Sequence, residues 1–128
     1  MKAGSDESTA DEARCALLSD PARMHSLARS GLTAVADAQM EALAERVRRW
    51  VGAPVALVSL VQPDRQVFPG MAGLPEPWAS TRSTPLTHSF CQHVVTSAEP
   101  LIVRDAREHP LLRDNRAVLD LGVVAYAG

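Results

Sequence analysis

Between Thr33 and Val51, apolar side chains recur at Ala36, Met40, Leu43, Val47 and Trp50, in steps of four and three. Glu41, Glu45, Arg46, Arg48 and Arg49 stay off that stripe, so the spacing predicts one long amphipathic helix over 33–51. Glu45 and Arg49 form an i,i+4 pair in the favourable order, and arginines near the end suit the negative pole of a helix. The stripe leaves open whether the helix packs on its own sheet or partly on a dimer partner. "GAP" at Gly52–Pro54 stops it.

The same reading continues in both directions. Upstream, Ala13, Ala16 and Leu17 face one way on a helix that starts near Asp11. Asp20 caps a second short helix with Pro21 in its first position, and Gly31 ends it. Residues 1–10 are small and polar and read as a disordered leader. Downstream, "VALVSLV" is a buried strand, Pro63 and Asp64 suit a tight turn, and "RQVF" is the returning strand of a hairpin. "PGMAGLPEPWASTRSTP" reads as a long surface loop in which Trp78 is a plug or a lid. "THSFCQHVV" fits a short helix capped by Thr84 with Pro85, or by Thr87; Phe90 and Val94 are then core residues at i,i+4. "PLIV" is a strand, "RAVLDLG" a short helix between Asn115 and Gly122, and "VVAYAG" the start of another strand. Mixed helices and strands in this order predict an α+β domain.

Composition narrows the class. A chain of 128 residues is at most one domain, large enough for a core. Its net charge of −2 and dispersed arginines give no footprint for nucleic acid. The longest apolar run is too short to cross a bilayer, and the N-terminus lacks the apolar stretch of a secretory signal. Two distant cysteines without an export signal predict reduced thiols and a cytoplasmic location.

The chemistry-bearing residues cluster in "THSFCQHVVTSAEPLIVRDAREHP". His88 and Cys91 share a helix face, whereas His93 points away from Cys91. A closed metal site needs about four ligands, and only His109 and Cys15 remain to recruit, so no metal is expected. Cys91 near a helix start, with His88 beside it, has the setting for a lowered thiol pKa. Its bland alternative, a small buried hydrophobe, is the reading preferred here. Asp105, at a strand end, either organises a pocket or loop or caps the following turn. No catalytic carboxylate pair, nucleophile elbow or phosphate-cradling glycine loop occurs, which points to a non-enzyme.

"LLSDPARMHSLARSGL", "GAPVALVSLVQPDRQVF", "HSFCQHVV", "PLIVRDAREHPLLRDN" and "GVVAYAG" together resemble the wording of bacterial GAF domains over about residues 11–128. The resemblance divides the chain into a helical lead-in (11–31), the long helix (33–51) and sheet and pocket segments (54–128). It implies an antiparallel sheet flanked by helices, with a pocket for a small molecule to which Phe90, Cys91, Val94, Asp105 and Tyr126 contribute. In the family a further central strand and a closing helix would follow, so the expectation is an incomplete fold with two open sheet edges. Such a chain is expected to be marginal alone, to swap with another copy, or to be one piece of an interrupted gene. Arg116, where relatives more often carry proline, touches only a helix cap.

The resemblance implies a non-catalytic sensor in bacterial signal transduction, with no cofactor and an unidentified small-molecule ligand. Its effector would be a serine/threonine phosphatase, a sensor histidine kinase or a nucleotide cyclase on another chain, and a homodimer is open. A relative that reduces free methionine sulfoxide with pocket cysteines supplies the competing reading, a thiol-dependent reductase; a third is a nonfunctional gene fragment. Bilin attachment is disfavoured, because Gln92 separates Cys91 from His93 where phytochrome-type domains place histidine directly after cysteine.

Overall fold

The computed structural model describes residues 2–128, with side chains from Thr9 onward. The chain is α+β: an antiparallel three-stranded sheet and a separate two-stranded one, flanked by helices. Helix α1 spans Lys2–Leu18 and takes in the stretch whose composition reads as a leader. No proline interrupts it, and its alanines and glutamates are good helix formers. Among its residues from Thr9 onward Leu18 is the buried one, whereas Ala13, Ala16 and Leu17 stay exposed, so the expected face is not the one that packs.

Helix α2 (Pro21–Ser30) follows its punctuation. The Asp20 carboxylate accepts the Arg23 N–H, and Gly31 closes the other end in the left-handed conformation. The Arg23 guanidinium then ties this region inward by donating to the Leu18 and Val61 carbonyls. Helix α3 (Ala38–Val51) is shorter than the stripe suggests, because Asp37 caps it by accepting the Met40 N–H at 3.0 Å. At its other end Gly52, at φ 75°, turns the chain out of the helix in a conformation that costs other residues energy. Glu45 pairs with both Arg48 and Arg49, and these bonds hold its carboxyl down at about 2.

Strands β1 (Ala56–Val61) and β2 (Arg65–Ala72) form the expected hairpin, but β2 runs four residues past "RQVF" into the predicted loop. Pro69 is tolerated there because a bulge interrupts the pairing between Val58 and Leu60. Gly70 is needed because α3 lies against it: a Cβ at that position would overlap the Met40 carbonyl. The rest of the predicted loop contains a one-turn helix α4 (Trp78–Thr81) and strand β3 (Ser83–Pro85), which pairs with β2. The strand order is β1-β2-β3, with β1 at an edge. Glu41 anchors α3 on the β2–β3 side, accepting the Met71 N–H and pairing with Arg82 at 2.5 Å.

A 3₁₀ turn at Leu86–His88 leads into α5 (Cys91–Ser97). Strand β4 (Ile102–Val103), helix α6 (Arg116–Asp120) and strand β5 (Tyr126–Ala127) complete the chain, β4 and β5 pairing antiparallel. Asn115 caps α6 as expected, accepting the Ala117 N–H. Phe90, Val103, Ala106, Leu112 and Ala117 form the core of this half.

A buried polar chain joins the two halves. Gln66 Oε1 accepts from the Ser59 and Ser89 hydroxyls at 2.9 and 2.8 Å, and its Nε2 donates to Thr84 Oγ1 at 2.9 Å. The Ser89 hydroxyl accepts the Gln92 N–H, so Ser89 supplies the side-chain cap of α5 that the sequence pattern assigns to Thr84 or Thr87. Asn115 and Gln92 both donate to the Ser89 carbonyl. Every strand of the larger sheet, α5 and the start of α6 thus meet through Gln66 and Ser89. Replacing Gln66 by leucine leaves buried hydroxyls without this partner, at a cost of about 2–3 kcal/mol in urea unfolding; a loss below about 0.5 kcal/mol would mean that the chain of bonds is dispensable.

Candidate functional site

Helix α5 presents two different faces. One carries Phe90 and Cys91 into the core, where Phe90 meets Tyr126 edge-on with ring centroids 5.1 Å apart. Tyr126 donates its hydroxyl proton to Cys91 Sγ at 3.3 Å, and burial beside the thiol pushes the phenol pKa upward. Tyr126 thus brings Phe90 and Cys91 together, with Cys91 and Tyr126 half-buried. Val94 is half-buried further along α5. Asp105 belongs elsewhere: it caps the turn Ala106–Glu108 and holds Arg107 by two side-chain bonds, which keeps its carboxyl below the usual range. Of the two readings of Asp105, the geometry is that of the turn cap. Of the five residues expected to line one pocket, Phe90, Cys91 and Tyr126 come together, whereas Asp105 caps the turn that follows β4.

The other face of α5 opens on a cleft of about 450 Å³. Its walls are α1 (Asp11, Arg14), the 3₁₀ turn (Leu86, Thr87), α5 (Gln92, His93) and the 110–115 segment (Pro110, Leu111, Asp114, Asn115). The polar groups span both charges and both hydrogen-bonding roles: the Arg14 guanidinium, two carboxylates, two carboxamides and an imidazole. Gln92 and Asn115 are held by their bonds to Ser89, so that wall is pre-organised by the buried polar chain. Arg14 pairs with Asp11 at 2.5 Å, one turn away on α1.

His93 is the cleft residue whose titration is displaced. Burial and the neighbouring charge of Arg14, with a smaller contribution from His109, pull its pKa down to about 4. It stands neutral at physiological pH, with one ring nitrogen able to donate and one to accept. His88 plays a structural part instead. Its Nε2 contacts Asp120 at 2.7 Å, Nδ1 contacts Thr87 Oγ1 at 2.9 Å, and Trp78 packs against its ring at 5.0 Å. It fastens the 3₁₀ turn to α6, and its bond together with Arg116 lowers the Asp120 carboxyl pKa. Trp78 is thereby a plug on His88.

Sequence reasoning does not reach Asp11, Arg14, Gln92, Asp114 and Asn115 as one site, and it places His93 on a packing helix. Their one local signal is the i,i+3 spacing of Asp11 and Arg14 on a helix; the rest is tertiary. Among the described residues, no three His, Cys, Asp or Glu side chains group as metal ligands, and no helix is long and apolar enough to cross a membrane. Both cysteines are free, Cys15 exposed and Cys91 half-buried. Neither a scan against protein-family models nor a search of curated proteins finds a match to this chain.

The His93 shift sets a pH dependence. A folded-state pKa near 4 against an ordinary 6.5 means that the unfolded chain binds a proton first as pH falls. Stability attributable to this group is full above about pH 6.5 and declines as pH drops towards 4. His93→Gln flattens that part of a stability–pH curve measured by urea unfolding; an unchanged slope would show that His93 is solvated.

Proposed function

We propose that this chain is a non-catalytic regulatory module that senses a small molecule, with the cleft between α1, α5 and the 110–115 segment as its receptor. The observation that carries the reading is the composition of that cleft: polar groups of both charges on a pre-organised wall, opposite a helix that closes the other side. A ligand bridging the two walls would favour the arrangement with α1 held against α5, and an attached or partner chain would read that shift. The GAF-like wording of the sequence is consistent with this role, and bacterial signalling through a separate phosphatase, kinase or cyclase is the setting it suggests.

The cysteines have no chemical role in such a module. Cys91 is engaged by Tyr126 at the core rather than at the cleft, which suits packing better than turnover.

A thermal-shift screen of the 128-residue chain against amino acids, small carboxylic acids and cyclic nucleotides tests the proposal. The expected result is at least one compound that raises Tm in the parent protein and loses its effect in both Arg14→Gln and His93→Ala. Cysteine-dependent consumption of free methionine sulfoxide, abolished in Cys91→Ser, would instead establish the reductase reading.

A further inference from the structure

The cleft beside α5 contains one polar atom that the fold positions and then leaves without a partner. Gln92 is only 7% exposed, yet it lines that cleft. Its Nε2 donates to the Leu86 and Ser89 carbonyls at 2.7 and 2.9 Å, so both amide protons are committed. The reversed carboxamide would set Oε1 against those two carbonyl oxygens. Oε1 is therefore held in place, and among the described residues nothing donates to it.

Nor is Oε1 sealed in. Among the described residues, Arg23 Nε is the one fully buried side-chain nitrogen or oxygen without a hydrogen bond. Oε1 thus keeps an open approach, and the opening that Gln92 borders is the cleft. The two buried glutamines differ in this respect. The Gln66 oxygen accepts two hydroxyls, whereas the Gln92 oxygen is a fixed acceptor without a donor from the protein.

The rest of the lining limits what can supply that donor. From α1, Arg14 gives one N–H to Asp11, and its other N–H groups make no hydrogen bond among the described residues. Asp11 already matches the Arg14 charge, Asp114 adds a second carboxylate, and His93, with its pKa near 4, is uncharged. These groups leave no surplus positive charge for a carboxylate or a phosphate. Leu86, Pro110 and Leu111 are the apolar part of the lining.

We infer that the cleft takes a small molecule without net negative charge that donates an N–H to Gln92 Oε1, a primary carboxamide being the group that matches. This rests on the receptor reading proposed above and names its ligand class. The amide N–H₂ of the ligand faces Gln92, its carbonyl accepts from Arg14, and its apolar body covers Leu86, Pro110 and Leu111. Gln92 is then the residue that sets specificity. Open to solvent, Oε1 is served by water; under a ligand that lacks a donor it is desolvated and unpaired, which penalises that ligand.

Benzamide, acetophenone and benzoate test this on the intact chain. They share a ring and a carbonyl carbon, and differ in carrying NH₂, CH₃ or O⁻ beside it. A two-dimensional amide NMR titration reads both the backbone of the cleft and the side-chain NH₂ of Gln92. Benzamide is expected to move both, with acetophenone and benzoate each binding at least about tenfold more weakly. Acetophenone or benzoate binding there as tightly as benzamide would overturn the donor requirement while leaving the receptor reading in place. Benzamide shifts that bypass the Gln92 side chain, or no shift from any of the three, would also overturn the inference. The receptor reading would then be decided by the thermal-shift screen, whose compounds span other classes.

Discussion

The fold depends on one carboxamide. Gln66 is almost wholly buried, and each of its polar atoms is committed: the oxygen to hydroxyls from β1 and from the start of α5, the nitrogen to a hydroxyl on β3. A buried amide without partners is costly, so the sheet and α5 can close together only in the register that satisfies it. Ser89 relays the constraint onward: its hydroxyl caps α5, and its carbonyl receives Gln92 and Asn115. Apolar packing alone would leave α5 freer to rotate, because Phe90 and its neighbours supply no directional bonds.

That rotation matters for what each face of α5 does. With the helix fixed, Phe90 and Cys91 meet Tyr126, while buried Gln92 and half-buried His93 line the cleft. The cleft consequently has a rigid wall, built on the buried chain of bonds, and a wall on α1, whose Arg14 is tied to Asp11. Desolvation and the proximity of Arg14 keep His93 uncharged. The result is a cleft of mixed polar character with an uncharged imidazole in its wall.

Much of the fold is legible where punctuation is local. Asp20 with Pro21, Gly52 after α3 and Asn115 before α6 each act through a bond or dihedral set within a few residues, and each stands where its residue type implies. The extension of β2 is not legible, because Pro69 and Gly70 ordinarily argue against a strand. Pro69 is accommodated by a bulge in β2 itself, where Phe68 and Pro69 lie opposite Ser59, and Gly70 is required by a helix thirty residues earlier. The apolar stripe on α3 is plain in the sequence, yet Ala44 beside it is the residue that becomes buried. The site is less visible than the fold. The chemistry-rich stretch from His88 to His109 draws attention to Cys91 and Asp105, whose partners are Tyr126 and Arg107. Arg14 and Asn115 join His93 only through tertiary packing, which no local spacing encodes.

The most direct measurement of the central claim, that the cleft on the outer face of α5 is the receptor, is a two-dimensional amide NMR titration of the isotopically labelled chain with a compound that stabilises it. Shifts are expected to concentrate at Asp11–Arg14, Gln92–His93 and Leu111–Asn115. Shifts confined to Phe90, Cys91, Val103 and Tyr126, with the cleft residues unmoved, would contradict it.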